Sequence, residues 1–349
     1  MEKIDLYSML PEELEELFAA LGEPKFRAKQ VFPRIARGER ISDITTLSKK
    51  LRETLEAQIL DTLPTVELKL TSKIDGTVKY LFRLFDGARI ESVLMKYKHG
   101  NTLCISSQVG CRMGCKFCAS TIAGRERDLM PSELLGQITA AERDTGERVD
   151  NVVMMGIGEP LDNYDNVVKF LRLVGHPDGL NIGYRHISLS TCGVVPRIME
   201  LAELELPITL SISLHAATDE KRSEIMPVNK RWNIDALLSA CAEYYKKTGR
   251  RISFEYTLIA GKNDTEADAK ELASLLKSYL SPIGAPIHVN LIRVNEVEET
   301  GFKAGSADSA KRFAEMLSAR GVIATVRRRL GADVNAACGQ LRRSAAMQI

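Results

Sequence analysis

Nowhere in the 349 residues is there an apolar run of the ~18 or more positions that a membrane-crossing helix needs. No membrane partner is therefore expected. The opening residues, MEKIDLYSMLPEELEELF, lack the basic-then-apolar order of a secretory signal and are acidic and amphipathic instead. An even, well-spaced cysteine set is missing too. There are 7 cysteines, an odd number with three crowded together, which does not suit a disulfide framework. It suits reduced thiols or metal ligands in a reducing compartment, and the expected location is the cytoplasm. Internal repeats and low-complexity tracts are absent. Hydrophobic residues at 44% and charged residues at 27% are ordinary for a globular chain, and the length fits one large α/β domain with extensions.

The net charge is only +2, but it is unevenly spread. Lys25, Arg27, Lys29, Arg34, Arg37, Arg40, Lys49, Lys50 and Arg52 outnumber the acids of residues 21–60. Near the other end, Arg327, Arg328, Arg329, Arg342 and Arg343 are opposed by few acids. Either segment alone reads as a solvated helix face. Basic segments at both ends make a polyanionic partner more plausible.

Helical periodicity dominates the first 60 residues. In PEELEELFAALG, Leu14, Leu17, Phe18 and Leu21 recur at helical spacing and Gly22 ends the run. KFRAKQVFPRIARG and TLSKKLRETLEAQIL follow. TVELKL, TVKYLFRLF and RIESVLMKYK then read as strands of a small antiparallel meander. From about residue 101 strands and helices alternate. The strand segments are TLCIS (102–106), NVVMM (151–155), HISLS (186–190), ITLSIS (208–213), ISFEYTLI (252–259) and HVNLI (288–292). Such alternation predicts a parallel sheet covered by helices, with too few units for a closed eight-fold barrel. Ligands of these folds sit at the carboxyl ends of the strands. There the sequence carries its unusual residues: the crowded cysteines, GIGEP, STCG, SLH and RVN.

Cys111, Cys115 and Cys118 form C-x3-C-x2-C. Structural zinc would need a fourth Cys or His, for which Cys104 and His99 are the nearest candidates. Three unligated thiols are the blandest alternative. A [4Fe–4S] cluster held by three thiolates would leave one iron open to an outside ligand, and the spacing at a strand end favours it.

C-x3-C-x2-C with Phe117 before the last cysteine resembles the signature of radical S-adenosylmethionine (SAM) enzymes. The resemblance implies that SAM fills the open iron, and that Gly158 and Glu159 of GIGEP receive its methionine amino group. Longer stretches narrow the match. ESVLMKYKHGNTLCISSQVGCRMGCKFCAS, MGIGEPLDNYDNV, RHISLSTCGVVP, SLHAATDEKRSEIMPVNKR and ADVNAACGQLR together resemble the RlmN family of dual-specificity RNA methyltransferases. The fold so implied is a radical-SAM partial (β/α)6 barrel at 101–300. A helical accessory domain at 1–62 would contribute to RNA binding. A small β extension at 63–100 would carry Glu91, and a C-terminal extension at 301–349 would carry Cys338. The implied activity is methylation of C2 of an adenosine in 23S rRNA and in certain tRNAs.

Adenine C2 is electrophilic and offers no nucleophilic lone pair to a sulfonium methyl group, so polar methyl transfer is closed to it. The resemblance implies a radical route using a [4Fe–4S] cluster and two SAM molecules per turnover. One SAM methylates Cys338, and a second gives the 5′-deoxyadenosyl radical that activates the new methyl group for addition to C2. Glu91 matches the base that removes the C2 proton. Cys104 matches the thiol that resolves the protein–RNA adduct through a disulfide with Cys338. For SAM the match adds Ser190, Ser213, Leu214, His215 and Asn295. Implied partners are 23S rRNA, tRNA and an electron donor such as flavodoxin or ferredoxin, and nothing demands more than a monomer. Cys192 and Cys241 gain no role and read as packing residues. Two rival readings stay open. One is the related C8-adenosine methyltransferase type that confers antibiotic resistance. The other is a non-catalytic RNA-binding protein with a structural metal site.

Overall fold

The computed structural model describes residues 3–295, 299 and 301–336. Three helices come first: α1 (Pro11–Ala20), α2 (Phe26–Ile35) and α3 (Lys49–Gln58). Leu14 and Phe18 of α1, one turn apart, are both fully buried, and the Ser48 hydroxyl caps α3 by accepting from the Leu51 N–H. These helices share a core of their own, with Leu6, Phe18, Phe32, Ile44 and Leu55 at its centre. Burying each such side chain is worth about 1.5–3 kcal/mol.

An antiparallel meander follows: β1 (Thr65–Thr71), β2 (Val78–Arg83), β3 (Arg89–Tyr97) and β4 (Gly100–Cys104). It is not a separate unit. Strand β4 also pairs in parallel with β7 (Asn151–Met154), so the meander continues into the main sheet. Between β4 and β7 lie a two-stranded hairpin, β5 (Gln108–Gly110) with β6 (Arg125–Asp128), and helix α4 (Pro131–Thr145). Beyond β7 the chain alternates through α5 (Tyr164–Gly175), β8 (Ile187–Thr191), α6 (Val195–Glu203), β9 (Thr209–Ser213), α7 (Asp219–Ile225), α8 (Ile234–Thr248), β10 (Ile252–Leu258), α9 (Glu266–Leu280), β11 (His288–Arg293), α10 (Ala307–Ala319) and β12 (Ile323–Val326).

Among the described residues the main sheet has ten strands in the order β1-β2-β3-β4-β7-β8-β9-β10-β11-β12. From β4 onward every pairing is parallel. All six expected parallel strands are present, and β12 adds one the sequence did not suggest. The N-terminal helices dock on α4 and α5. The Ser132 hydroxyl donates to the Asp5 carboxylate at 2.8 Å, the Ser132 N–H to the Ser8 hydroxyl at 2.9 Å, and Lys169 pairs with Glu13 at 2.7 Å. Among the described residues, no helix is long and apolar enough to cross a membrane.

Candidate active site

The three clustered cysteines occupy the loop that joins β5 to β6. Gly110 makes that loop possible. Its φ of +77° lies in the left-handed region, and a Cβ there would meet the Gly124 carbonyl oxygen at 1.8 Å. The hairpin can therefore close on itself, with the Cys111 N–H donating to that same carbonyl at 3.1 Å. Further along, the Lys116 N–H donates to the Ile225 carbonyl at 2.9 Å and the Thr121 hydroxyl to the Cys118 carbonyl at 2.9 Å. The Phe117 ring packs against the His215 ring, centroids 4.9 Å apart and nearly perpendicular. The protein's own contacts thus shape the loop.

Cys111, Cys115 and Cys118 line one cavity with Gly156, Gly158, Glu159, Ser190, Ser213, His215 and Asn295. Apart from the cysteines, these residues come from the carboxyl ends of the parallel strands β7, β8, β9 and β11, where side chains from different strands converge. GIGEP follows β7. Gly158 has φ +107°, and a Cβ would lie 2.7 Å from both the Gln108 nitrogen and the Ser107 hydroxyl, so only glycine lets the two loops approach. Gln108 fastens them: its Oε1 accepts from the Glu159 N–H at 2.9 Å, while its Nε2 donates to Asp128 and Asp162. The Glu159 carboxylate accepts from the N–H groups of Leu161 at 3.0 Å and Cys192 at 2.7 Å. Burial nevertheless leaves its acidity weakened, its pKa lying above the usual carboxylate range.

The ends of β8 and β9 are held from behind by Arg222 of α7, a fully buried guanidinium. It donates to the carbonyls of Cys192 at 2.7 Å, Leu214 at 3.1 Å and Ser213 at 3.2 Å, and to Asn229 Oδ1 at 2.9 Å. His215 adopts φ +58°, and its Nδ1 accepts from the Thr257 N–H at 2.9 Å. Burial, with Arg222 nearby, pushes its pKa down to about 3, so the ring is neutral with its proton on Nε2. The structure does not bring Leu214 to the cavity. It is fully buried, its N–H donating to the Glu255 carbonyl and its own carbonyl accepting from Arg222. Cys192, read from sequence as packing, lies on the cavity wall, and its backbone N–H donates to the Glu159 carboxylate at 2.7 Å.

A second cavity adjoins the first, the two sharing Met155, Ile292, Val294, Asn295 and Arg327. Cys104 lines it with Val93, Arg328, Arg329 and Ala336. Register explains the grouping: Lys79 on β2, Val93 on β3 and Cys104 on β4 are successive partners across the sheet. Glu91 lies two residues from Val93 and so on the same face. Its carboxylate meets the Lys79 ammonium at 2.8 Å, both side chains essentially without exposure. Arg328 and Arg329 are exposed at the mouth, whereas Arg327 turns inward, its Nη1 3.3 Å from the Met155 sulfur. Cys338 lies outside the described residues, as do Arg342 and Arg343.

The donor set fits an iron–sulfur cluster better than a single ion. Among the described residues no three Cys, His, Asp or Glu side chains are gathered as ligands for one metal, whereas in a cluster each thiolate takes a different iron. Burial pushes the Cys111 thiol up to about 12 and the Cys115 thiol well above its usual value, so iron binding would displace protons. Gly158 and Glu159 line the same cavity as these thiols, and a backbone carbonyl and a carboxylate are acceptors that suit an amino group. Sequence reasoning missed Lys79, Gln108 and Arg222. Val78, Lys79, Tyr80, Leu81 and Phe82 are all buried, so β2 shows no alternation to mark Lys79. Arg222 sits in DEKRSE, which reads as a solvated face.

Residues 105–276 match the model of the Radical SAM superfamily. Residues 4–60 match that of the ribosomal RNA large subunit methyltransferase N-terminal domain. The probable dual-specificity RNA methyltransferase RlmN of Alkaliphilus oremlandii is 53% identical over 344 residues, 98% of each chain. Its counterpart from Clostridium botulinum (strain Eklund 17B / Type B) is 54% identical over 334 residues, 95% of this chain and 94% of its own. A crystal structure of a radical SAM methyltransferase from Sphaerobacter thermophilus superimposes with a TM-score of 0.92 at 42% identity, covering 98% of this chain and 100% of that one. A [4Fe–4S] cluster and SAM are the cofactors that the superfamily implies. With its cysteine loop, GIGEP turn and helical N-terminus matched along nearly the whole length, the chain belongs to the RlmN family of radical SAM methyltransferases.

Proposed function

We propose that the protein methylates C2 of an adenosine in 23S rRNA and in some tRNAs, carrying the methyl group on Cys338. The relatives' names and the N-terminal match to a ribosomal RNA methyltransferase domain support an RNA substrate. So do Arg328 and Arg329, exposed at the mouth of the Cys104 cavity, where phosphate contacts would supply salt-dependent affinity. The observation that carries the route is the junction of the cluster-side cavity with the one holding Cys104. Ala336 packs with Cys104 in one apolar group. Cys338 follows Ala336 by two residues, a span of at most ~7 Å.

When bound, the cluster and two SAM molecules per turnover supply the methyl group and the one-electron chemistry that a carbon without a lone pair demands. The chain's residues do the rest. Gly158 and Glu159 accept from the methionine amino group, while Ser190, Ser213 and Asn295 serve ribose and carboxylate. Neutral His215 braces Phe117 in the cysteine loop. Through its methylene carbon, Cys338 becomes joined to C2. Glu91 then takes the C2 proton. The Cys104 thiolate bonds to the Cys338 sulfur as the carbon–sulfur bond breaks. The electron pair of that bond and one proton complete the methyl group, and the electron left from radical addition passes to a one-electron acceptor. A thiol reductant reopens the disulfide, and a donor such as flavodoxin or ferredoxin supplies the electron for the next turnover. Reduced cysteines suit an enzyme working in the cytoplasm, and nothing in this route demands more than a monomer.

The test is nucleoside analysis of 23S rRNA fragments after incubation with anaerobically reconstituted enzyme and SAM. 2-Methyladenosine is expected. 8-Methyladenosine would assign the C8 reaction instead, and unmodified RNA in the presence of an intact cluster would remove the RNA substrate.

A further inference from the structure

Lys79 and Glu91 form a pair of a costly kind. The ammonium and carboxylate are 2.8 Å apart, with side-chain exposures of 2% and 1%. Burying two charges offsets most of their attraction, and apolar residues of similar volume usually serve stability as well or better. The same ammonium donates to the Asn335 carbonyl at 3.2 Å, three residues before Cys338. Lys79 is also separated from Cys104 in its sheet row only by Val93. One side chain therefore touches the carboxylate and the segment leading to Cys338, on the sheet face that carries Cys104.

We propose that Lys79 is a positioning residue: anchored on the Asn335 carbonyl, it holds the Glu91 carboxylate ionised and aimed. The proposal rests on the reading of Glu91 as the base for C2. In that step the C2–H bond breaks and its proton passes to a Glu91 oxygen. Removing the ammonium withdraws the opposite charge that favours the ionised carboxylate, while burial favours the protonated form. The base would then be unavailable and the protein–RNA adduct would persist. Other ionisable groups stand around the pair. Cys104 lies across Val93 on β4, and Arg327 lines the neighbouring cavity wall. At the turn before β2, the carboxylates of Asp75 and Asp333 accept from the N–H groups of Gly331 and Lys73.

The experiment follows adduct formation and adduct decay separately, in single turnovers of the reconstituted holoenzyme with SAM and a 23S rRNA fragment, at several pH values. Lys79→Met and Lys79→Gln are compared with wild type and with Glu91→Gln. Lys79→Gln retains a hydrogen-bond donor and so folds even if the methionine variant does not. We expect both Lys79 variants to form the adduct at near wild-type rate and to resolve it at least ~10-fold more slowly at neutral pH. Resolution should recover by about tenfold per pH unit as Glu91 ionises, on top of the wild-type dependence set by the Cys104 thiolate. Glu91→Gln should hold the adduct at every pH. Wild-type resolution and pH profile in the Lys79 variants would overturn the proposal, as would loss of adduct formation at all pH values in a folded variant. Normal resolution by Glu91→Gln would overturn the reading of Glu91 as base, and the role of Lys79 with it.

Discussion

Replacing Arg222 by methionine tests how the site is built. Methionine has a similar reach and no donor, so the pocket stays filled while four hydrogen bonds disappear. The Leu214 carbonyl keeps a second donor in the Ala216 N–H at 2.8 Å, and the Ser213 contact is the longest of the four at 3.2 Å. The loss falls mainly on the Cys192 carbonyl and on Asn229 Oδ1. Each unsatisfied acceptor costs about 1–3 kcal/mol, giving about 2–6 kcal/mol in all. Urea unfolding of the metal-free protein should show this as a lower midpoint at unchanged slope. The control is Lys246→Ala, which removes an exposed pair with Glu243 and should cost less than ~1 kcal/mol. Because Arg222 holds the ends of β8 and β9, SAM affinity should fall at least ~10-fold as well, the equivalent of about 1.4 kcal/mol. A loss no greater than that of Lys246→Ala would refute the view that one buried guanidinium sets these strand ends.

Gly110→Ala should abolish cluster loading with little change in helical content, read as iron per chain and circular dichroism. Its Cβ would collide with the Gly124 carbonyl, and a left-handed residue with a side chain costs about 1–2 kcal/mol even without that clash. Full iron occupancy would show that the hairpin closure is dispensable. His215 gives a pH dependence. Its folded pKa of about 3 lies below the unfolded value of 6.5, so the unfolded chain alone takes up the proton as pH falls. The stability it contributes is complete above about pH 6.5 and shrinks by about 1.4 kcal/mol per unit below it. Metal-free wild type should therefore lose stability faster than His215→Gln between about pH 6.5 and 5, and parallel curves would mean that the ring is protonated in the fold.

Local patterns carried most of the architecture. TVELKL, TVKYLFRLF and RIESVLMKYK became β1–β3, and the six later strand segments all pair in parallel. Three elements gave too little signal. β5 and β6 have three and four residues, too few to establish a period. β12 is four half-exposed or exposed residues whose pairing depends on β11. Lone motifs also said little about partners. Glu91 in RIESVL reads as the polar side of a strand, and only tertiary structure reveals the ammonium opposite it. Glu91, Cys104 and the cysteine loop all fall within residues 91–118, but no spacing rule joins a strand glutamate and a strand cysteine to that loop, and family resemblance linked them. Leu214 shows the converse: a residue inside a strongly matched stretch whose backbone groups are both spent within the fold.

The central claim is transfer through Cys338 with release by Cys104. Intact mass of anaerobic enzyme incubated with SAM and a 23S rRNA fragment, wild type beside Cys104→Ala, tests it most directly. The account predicts a covalent protein–RNA species that accumulates in Cys104→Ala and not in wild type, where methylated RNA appears instead. Methylated RNA from Cys104→Ala at the wild-type rate, with no captured species, would contradict it.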